Sequence, residues 1–117
     1  MGNGNETVPM TVNYNPSQGY SLNPKDPKIK KNGTARINGS NCDFTICFNP
    51  TNTPFGSCIS MHQTDPAKDV DVGDSNYTLT YCITNYGGSC TPPGMLADDP
   101  TGTIKVGSGT GTGTGKK

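Results

Sequence analysis

Five cysteines, a single histidine and a methionine in a Gly-rich loop are the residues of this chain best suited to chemistry. Cys42, Cys47, Cys58, Cys82 and Cys90 span the middle of the sequence, and His62 is its one imidazole. Cys82 and Cys90 bracket a Gly-rich turn in YCITNYGGSCTPPGM (81–95), where Met95 follows Pro-Pro-Gly. Two sulfur types on one short loop can hold a soft metal, be tied by a disulfide, or form a plain turn. Cys82 can pair with Cys90 across its own loop as a local clip. Any one of the five cysteines can be left over while the other four join in three ways, so the sequence leaves the pairing open.

Acid–base chemistry has little to work with. His62 has no partner at a recognisable spacing and reads as a surface residue. Asp98 and Asp99 are adjacent in a Pro-rich turn, where carboxylates face solvent. No nucleophile elbow, phosphate-binding loop or H-E-x-x-H occurs. The expectation is a protein that is not an enzyme. Met95 is also readable as a simple core plug.

Composition bounds the partners. Nine basic and nine acidic residues cancel, so there is no basic stripe for nucleic acid. The four lysines of KDPKIKK (25–31) read as a solvated turn. No apolar run approaches the ~18 residues of a membrane span. Residues 2–8, GNGNETV, are not the charged and then apolar run of a leader peptide. Hydrophobic residues make up only 29 % of the chain and Trp is absent, so a single thin core needs help from cross-links or a metal. Five cysteines in so small a chain argue for an oxidising compartment: secreted, periplasmic or cell surface. Glycosylation acceptors at Asn5, Asn32, Asn38 and Asn76 fit that location.

The elements that must position these groups are strands. No segment carries a 3.6-residue apolar period. Residues 7–14 place Val8, Met10, Val12 and Tyr14 on one face. Residues 15–27 are broken by Pro and Gly and read as loop or edge. Lys31-Asn32-Gly33 signals a type I′ hairpin between Ile29 and the strand TARING (34–39). NCDFTICF (41–48) sets Cys42, Phe44, Ile46 and Phe48 on one face, with Cys47 on the other beside Asp43 and Thr45. SCISMH (57–62) turns Ile59 and Met61 away from Cys58, Ser60 and His62. Val70 and Val72 alternate with aspartates, and Tyr77, Leu79, Tyr81 and Ile83 alternate with threonines and Cys82. TGTIKV (101–106) supplies a last strand, and the repetitive GSGTGTGTGKK (107–117) a flexible tail or linker. About seven short strands between turns predict an antiparallel β-sandwich or open barrel, of which an all-β, antiparallel Greek-key β-sandwich over residues 1–106 is the expectation.

The order strand, Cys82, loop, Cys90, Gly94-Met95, closing strand resembles the cupredoxins, over roughly residues 20–106. SLNPKDPKIKKNGTARIN (21–38) is similar to an entry segment of that family, and NCDFTI (41–46) falls where its first ligand His stands. The resemblance implies a sandwich of cupredoxin-like or Ig-like type. In the metal reading it implies, Cys82 is the copper thiolate and Met95 the axial ligand, with Cys42 in place of the first His. Ser89 or Cys90 replaces the second His. Such a sulfur-rich set favours Cu(I) over blue-copper electron transfer. The residues before Cys82 depart from the family too, because Thr80 and Thr78 stand where aromatic residues share its face. The plant branch, the phytocyanins, offers a second comparison through Pro54-Phe55-Gly56-Ser57-Cys58 and Gly87-Gly88-Ser89-Cys90. It implies a Cys58–Cys90 bridge closing ~32 residues and worth roughly 3–4 kcal/mol. Cys42 and Cys82 would then form a second bridge or a residual metal site, leaving Cys47 free.

The expectation is therefore a secreted, non-catalytic, disulfide-stabilised cupredoxin-like module. It would need no cofactor and would act on an unidentified protein or surface partner, or as a structural part. A Cu(I)-binding or electron-transfer protein using Cys42, Cys82 and Met95 is the alternative. A small adhesin or fibre subunit is a further one.

Overall fold

A computed structural model describes residues 6–88, 90 and 101–107. Among the described residues nine strands occur and no helix. They are β1 (Thr7–Asn15), β2 (Gly19–Asn23), β3 (Lys28–Ile29), β4 (Thr34–Gly39), β5 (Phe44–Asn49), β6 (Cys58–Met61), β7 (Lys68–Asp71), β8 (Tyr77–Thr84) and β9 (Thr101–Val106). They form one sheet in the order β2-β1-β4-β7 and another in the order β3-β9-β8-β5-β6. The apolar alternation of each strand decides which face turns inward. Val8, Met10 and Val12 of β1 and Ala35 and Ile37 of β4 are buried. They belong to one core cluster with Phe44, Ile46 and Phe48 of β5 and Leu79, Tyr81 and Ile83 of β8. Phe55, in the loop after β5, closes one end of that core against Phe48, with ring centroids 5.1 Å apart.

The all-β sandwich follows from the strand pattern, but the sheets are mixed rather than purely antiparallel. β1 runs parallel to β4, and β3 parallel to β9. The reason is that the chain changes sheet between neighbours. β2 stays beside β1, β3 joins the opposite sheet, and β4 returns to the first in the direction of β1. The same path removes the expected hairpin at Asn32-Gly33, because β3 and β4 lie in different sheets. Asn32 does adopt a positive φ of 65°, but Gly33 does not, and a type I′ turn needs both. Instead the Asn32 N–H donates to the Gly73 carbonyl at 2.6 Å, tying this corner to the end of β7.

Pro9 sits inside β1 without breaking it. The carbonyls of Glu6, just before β1, and of Val12 accept from Thr34 and Ser40, so even-numbered residues point their backbone groups at β4. Odd-numbered Pro9 faces the β2 side, and β2 pairs with β1 only from Thr11 onward. The missing N–H therefore falls where no partner strand runs.

Candidate functional site

The cysteines converge on the outward face of the five-stranded sheet. In β5 the inner positions are Phe44, Ile46 and Phe48, so Thr45 and Cys47 face out. Antiparallel register sets Cys47 opposite Cys58 on β6 and opposite Cys82 on β8. Three cysteines thus stand in one row across three strands. Cys47 is bonded to Cys58, and Cys82 is bonded to Cys90 at the end of the following loop. Cys47 and Cys82 are buried at 2 % and 0 % exposure, while Cys58 is exposed.

The loop after β8 folds over this face. A turn closes where the Gly88 N–H donates to the Asn85 carbonyl at 2.9 Å, and Gly87 takes the positive φ of 80° that the reversal requires. The Gly87 N–H donates to Thr45 Oγ1 at 3.0 Å, and that hydroxyl lies 2.6 Å from the Ser60 hydroxyl. Thr45 is the buried polar residue of the described core, and these two contacts satisfy it. Tyr86 stacks on His62, just past β6, with ring centroids 4.0 Å apart and planes 14° off parallel. The loop therefore reaches from β8 across β5 to the end of β6.

His62 has a partner that sequence spacing did not reveal. Its Nδ1 lies 3.3 Å from Asp43 Oδ2. The Gln63 N–H donates to the other Asp43 oxygen at 2.8 Å. That backbone donor first, and His62 second, hold the Asp43 carboxyl below the usual carboxylate range. The Ser60 hydroxyl on the same face is engaged by Thr45 rather than by His62.

Two expectations about the cysteines are corrected. The Cys58–Cys90 bridge implied by the phytocyanin resemblance is not formed. Pairing of β5 with β6 brings Cys47 directly opposite Cys58, and the short loop returns Cys90 to its own strand. Cys47 is therefore bonded rather than free, and Cys42 is the free cysteine. Cys42 lies in the inter-sheet core at 8 % exposure, and its thiol donates to the Val12 carbonyl at 3.7 Å. Burial pushes its thiol pKa up, so it stays protonated and unreactive at neutral pH.

Two of the proposed copper donors, Cys42 and Cys82, are not brought together. Cys42 packs on the inner side of the sheet, Cys82 faces outward, and the Cys82 sulfur is already bonded. Met95 and Ser89, like Asp98 and Asp99, lie outside the described residues. Among the described residues no three His, Cys, Asp or Glu side chains are grouped to hold a metal ion. Elsewhere, Asp26, Lys28, Thr103 and Lys105 line an open cleft of about 300 Å³ where β3 meets β9. Its carboxylate is committed to the Thr103 N–H at 3.0 Å. No helix among the described residues is long and apolar enough to cross a membrane.

No family model and no curated protein matches the chain. Among solved structures it is similar to the 2F4 variant of the multicopper oxidase McoA from the hyperthermophile Aquifex aeolicus, with a TM-score of 0.47 and 15 % identity. That likeness covers 88 % of this chain but only 27 % of the oxidase, so the chain spans about a quarter of its neighbour's length.

Proposed function

We propose that the chain is a secreted, non-catalytic, cupredoxin-like β-sandwich module held by disulfides, acting through surface binding or as a structural part of a larger protein. The observation that carries this reading is the pairwise bonding of four of the five cysteines on the outer face of one sheet. Bridges 11 and 8 residues apart would each stabilise the fold by roughly 2.5–3 kcal/mol on the chain-entropy model. A core drawn from so polar a chain needs help of that size. Such bonds persist where the surroundings are oxidising, which supports secretion. The non-catalytic reading is supported by His62, whose imidazole is engaged by Asp43 and Tyr86, and by Ser60, whose hydroxyl is engaged by Thr45.

Thiol counting and copper competition on the purified, unreduced protein test the proposal together. One thiol, Cys42, is expected to react with an alkylating agent, and only after unfolding. No Cu(I) is expected to survive competition with a chromogenic chelator. Four or more reactive native thiols with one tightly held Cu(I) would sink the reading in favour of a sulfur-ligated copper protein.

A further inference from the structure

Cys47 has a cysteine on each side. The Cα atoms of Cys47 and Cys58 lie 4.0 Å apart, the close spacing of a non-hydrogen-bonded pair. The backbone agrees. The Phe48 N–H donates toward β6, to the Ser57 carbonyl at 2.8 Å, so the N–H and C=O of Cys47 face β8. Cys47 and Cys82 are then a hydrogen-bonded pair, whose Cα atoms in regular sheet are about 5.5 Å apart. A disulfide spans about 4.4–6.8 Å between Cα atoms, so Cys82 is within bonding reach of Cys47. Directly opposed residues share a face, so Cys58, Cys47 and Cys82 all project outward. Cys90 is bonded to Cys82 and follows a loop whose Gly87 and Tyr86 reach β5 and the end of β6.

We propose that Cys47, Cys58, Cys82 and Cys90 form one thiol–disulfide exchange site with two bridging patterns. One is Cys47–Cys58 with Cys82–Cys90; the other is Cys47–Cys82 with Cys58–Cys90. The substrate class is a thiol. An external thiolate attacks Cys58 Sγ, the exposed half of its bridge. The Cys47–Cys58 bond breaks, a mixed disulfide forms on Cys58, and Cys47 leaves as a thiolate. Cys47 attacks Cys82 Sγ, the Cys47–Cys82 bond forms, the Cys82–Cys90 bond breaks, and Cys90 leaves as a thiolate. Cys90 then displaces the external thiol from Cys58, which is regained, so no electrons are gained or lost. If a second external thiol takes the place of Cys90, it leaves as the mixed partner of the first. An external disulfide is released and Cys58 and Cys90 remain reduced. This activity goes beyond a stabilising role, which needs only fixed bridges.

Reduced glutathione is the probe. The intact protein is incubated with it, quenched by acid, alkylated and mapped by mass spectrometry without reduction. Peptides linked through Cys47–Cys82 and Cys58–Cys90 are expected, at a rate proportional to thiol concentration and absent without thiol. A second arm uses Cys58→Ser, which frees Cys47 with no added thiol. Cys47–Cys82 linkage with native alkylation at Cys90 is expected there. The Cys47–Cys82 linkage in either arm supports the proposal, and its absence from both overturns it. Fixed starting bridges would leave the stabilising reading intact, whereas unbridged cysteines in untreated protein would overturn that reading instead.

Discussion

Single side chains decide how the outer face is covered. Thr45 is 1 % exposed, and its hydroxyl serves both the Gly87 N–H and Ser60. Thr45→Val keeps the shape and removes that partner. It is expected to cost about 0.5–1.5 kcal/mol, the net worth of a hydrogen bond whose other partners, on exposed Gly87 and Ser60, can turn to water. Hydrogen exchange at the Gly87 amide should speed up more than exchange in β5, and equal protection in both proteins would refute the role. Two tyrosines give the protein an alkaline limit. Burial, and then the charge of Asp71, push the Tyr77 phenol up to about 12 from 10.0. Burial, and then Asp26, raise Tyr81, whose O–H donates to the Lys25 carbonyl at 2.6 Å. The folded state therefore holds these protons more tightly than the unfolded chain. Their contribution is complete below pH 10.0 and is lost as pH climbs towards about 12. Melting temperatures taken across that range should fall, and Tyr77→Phe should flatten the fall. A melting temperature that stays level would contradict the assignment.

At the scale of elements, register converts parity into chemistry. The alternation along residues 41–48, 57–62 and 75–84 already turned Cys47, Cys58 and Cys82 away from the apolar face, and the structure keeps them there. Alternation says which face a residue takes but not which residue stands opposite it. That depends on how far one strand slides against the next, and a two-residue slip leaves the parity unchanged. The pairing of Cys58 with Cys47 rather than Cys90 was for that reason not legible. The Asp43–His62 contact was hidden likewise, because it joins the start of β5 to the end of β6. Replacing Cys47 and Cys58 together by Ala should lower the stability in urea by roughly 2–3 kcal/mol, since the β5–β6 pairing survives but its cross-link does not. An unchanged midpoint would mean that the bridge adds nothing to the fold.

Across the whole molecule, two mixed sheets share one core. Phe44 is fully buried between them, among residues of both. Phe44→Ala should therefore cost about 3–5 kcal/mol and weaken both sheets at once. Circular dichroism and tyrosine fluorescence should still report a single coincident transition, as expected of a small domain with one core. Two separated transitions would show that the sheets unfold independently. Fluorescence suits the test because tyrosines occur in β1, β2 and β8 and in the loop that follows, and Trp is absent.

The sequence by itself determined most of the strands, their inward faces and a core thin enough to call for cross-links. Those properties follow from alternation over a few neighbouring residues and from a composition poor in apolar side chains. Only the tertiary structure decided which strands lie side by side, that β1 and β4 run parallel, and that Asn32-Gly33 turns between sheets. It also decided that Cys42 is shut in the core while the other four cysteines meet outside it. The reason is physical. Local pattern sets the face a side chain takes, whereas sulfur chemistry depends on distances between strands far apart in the chain.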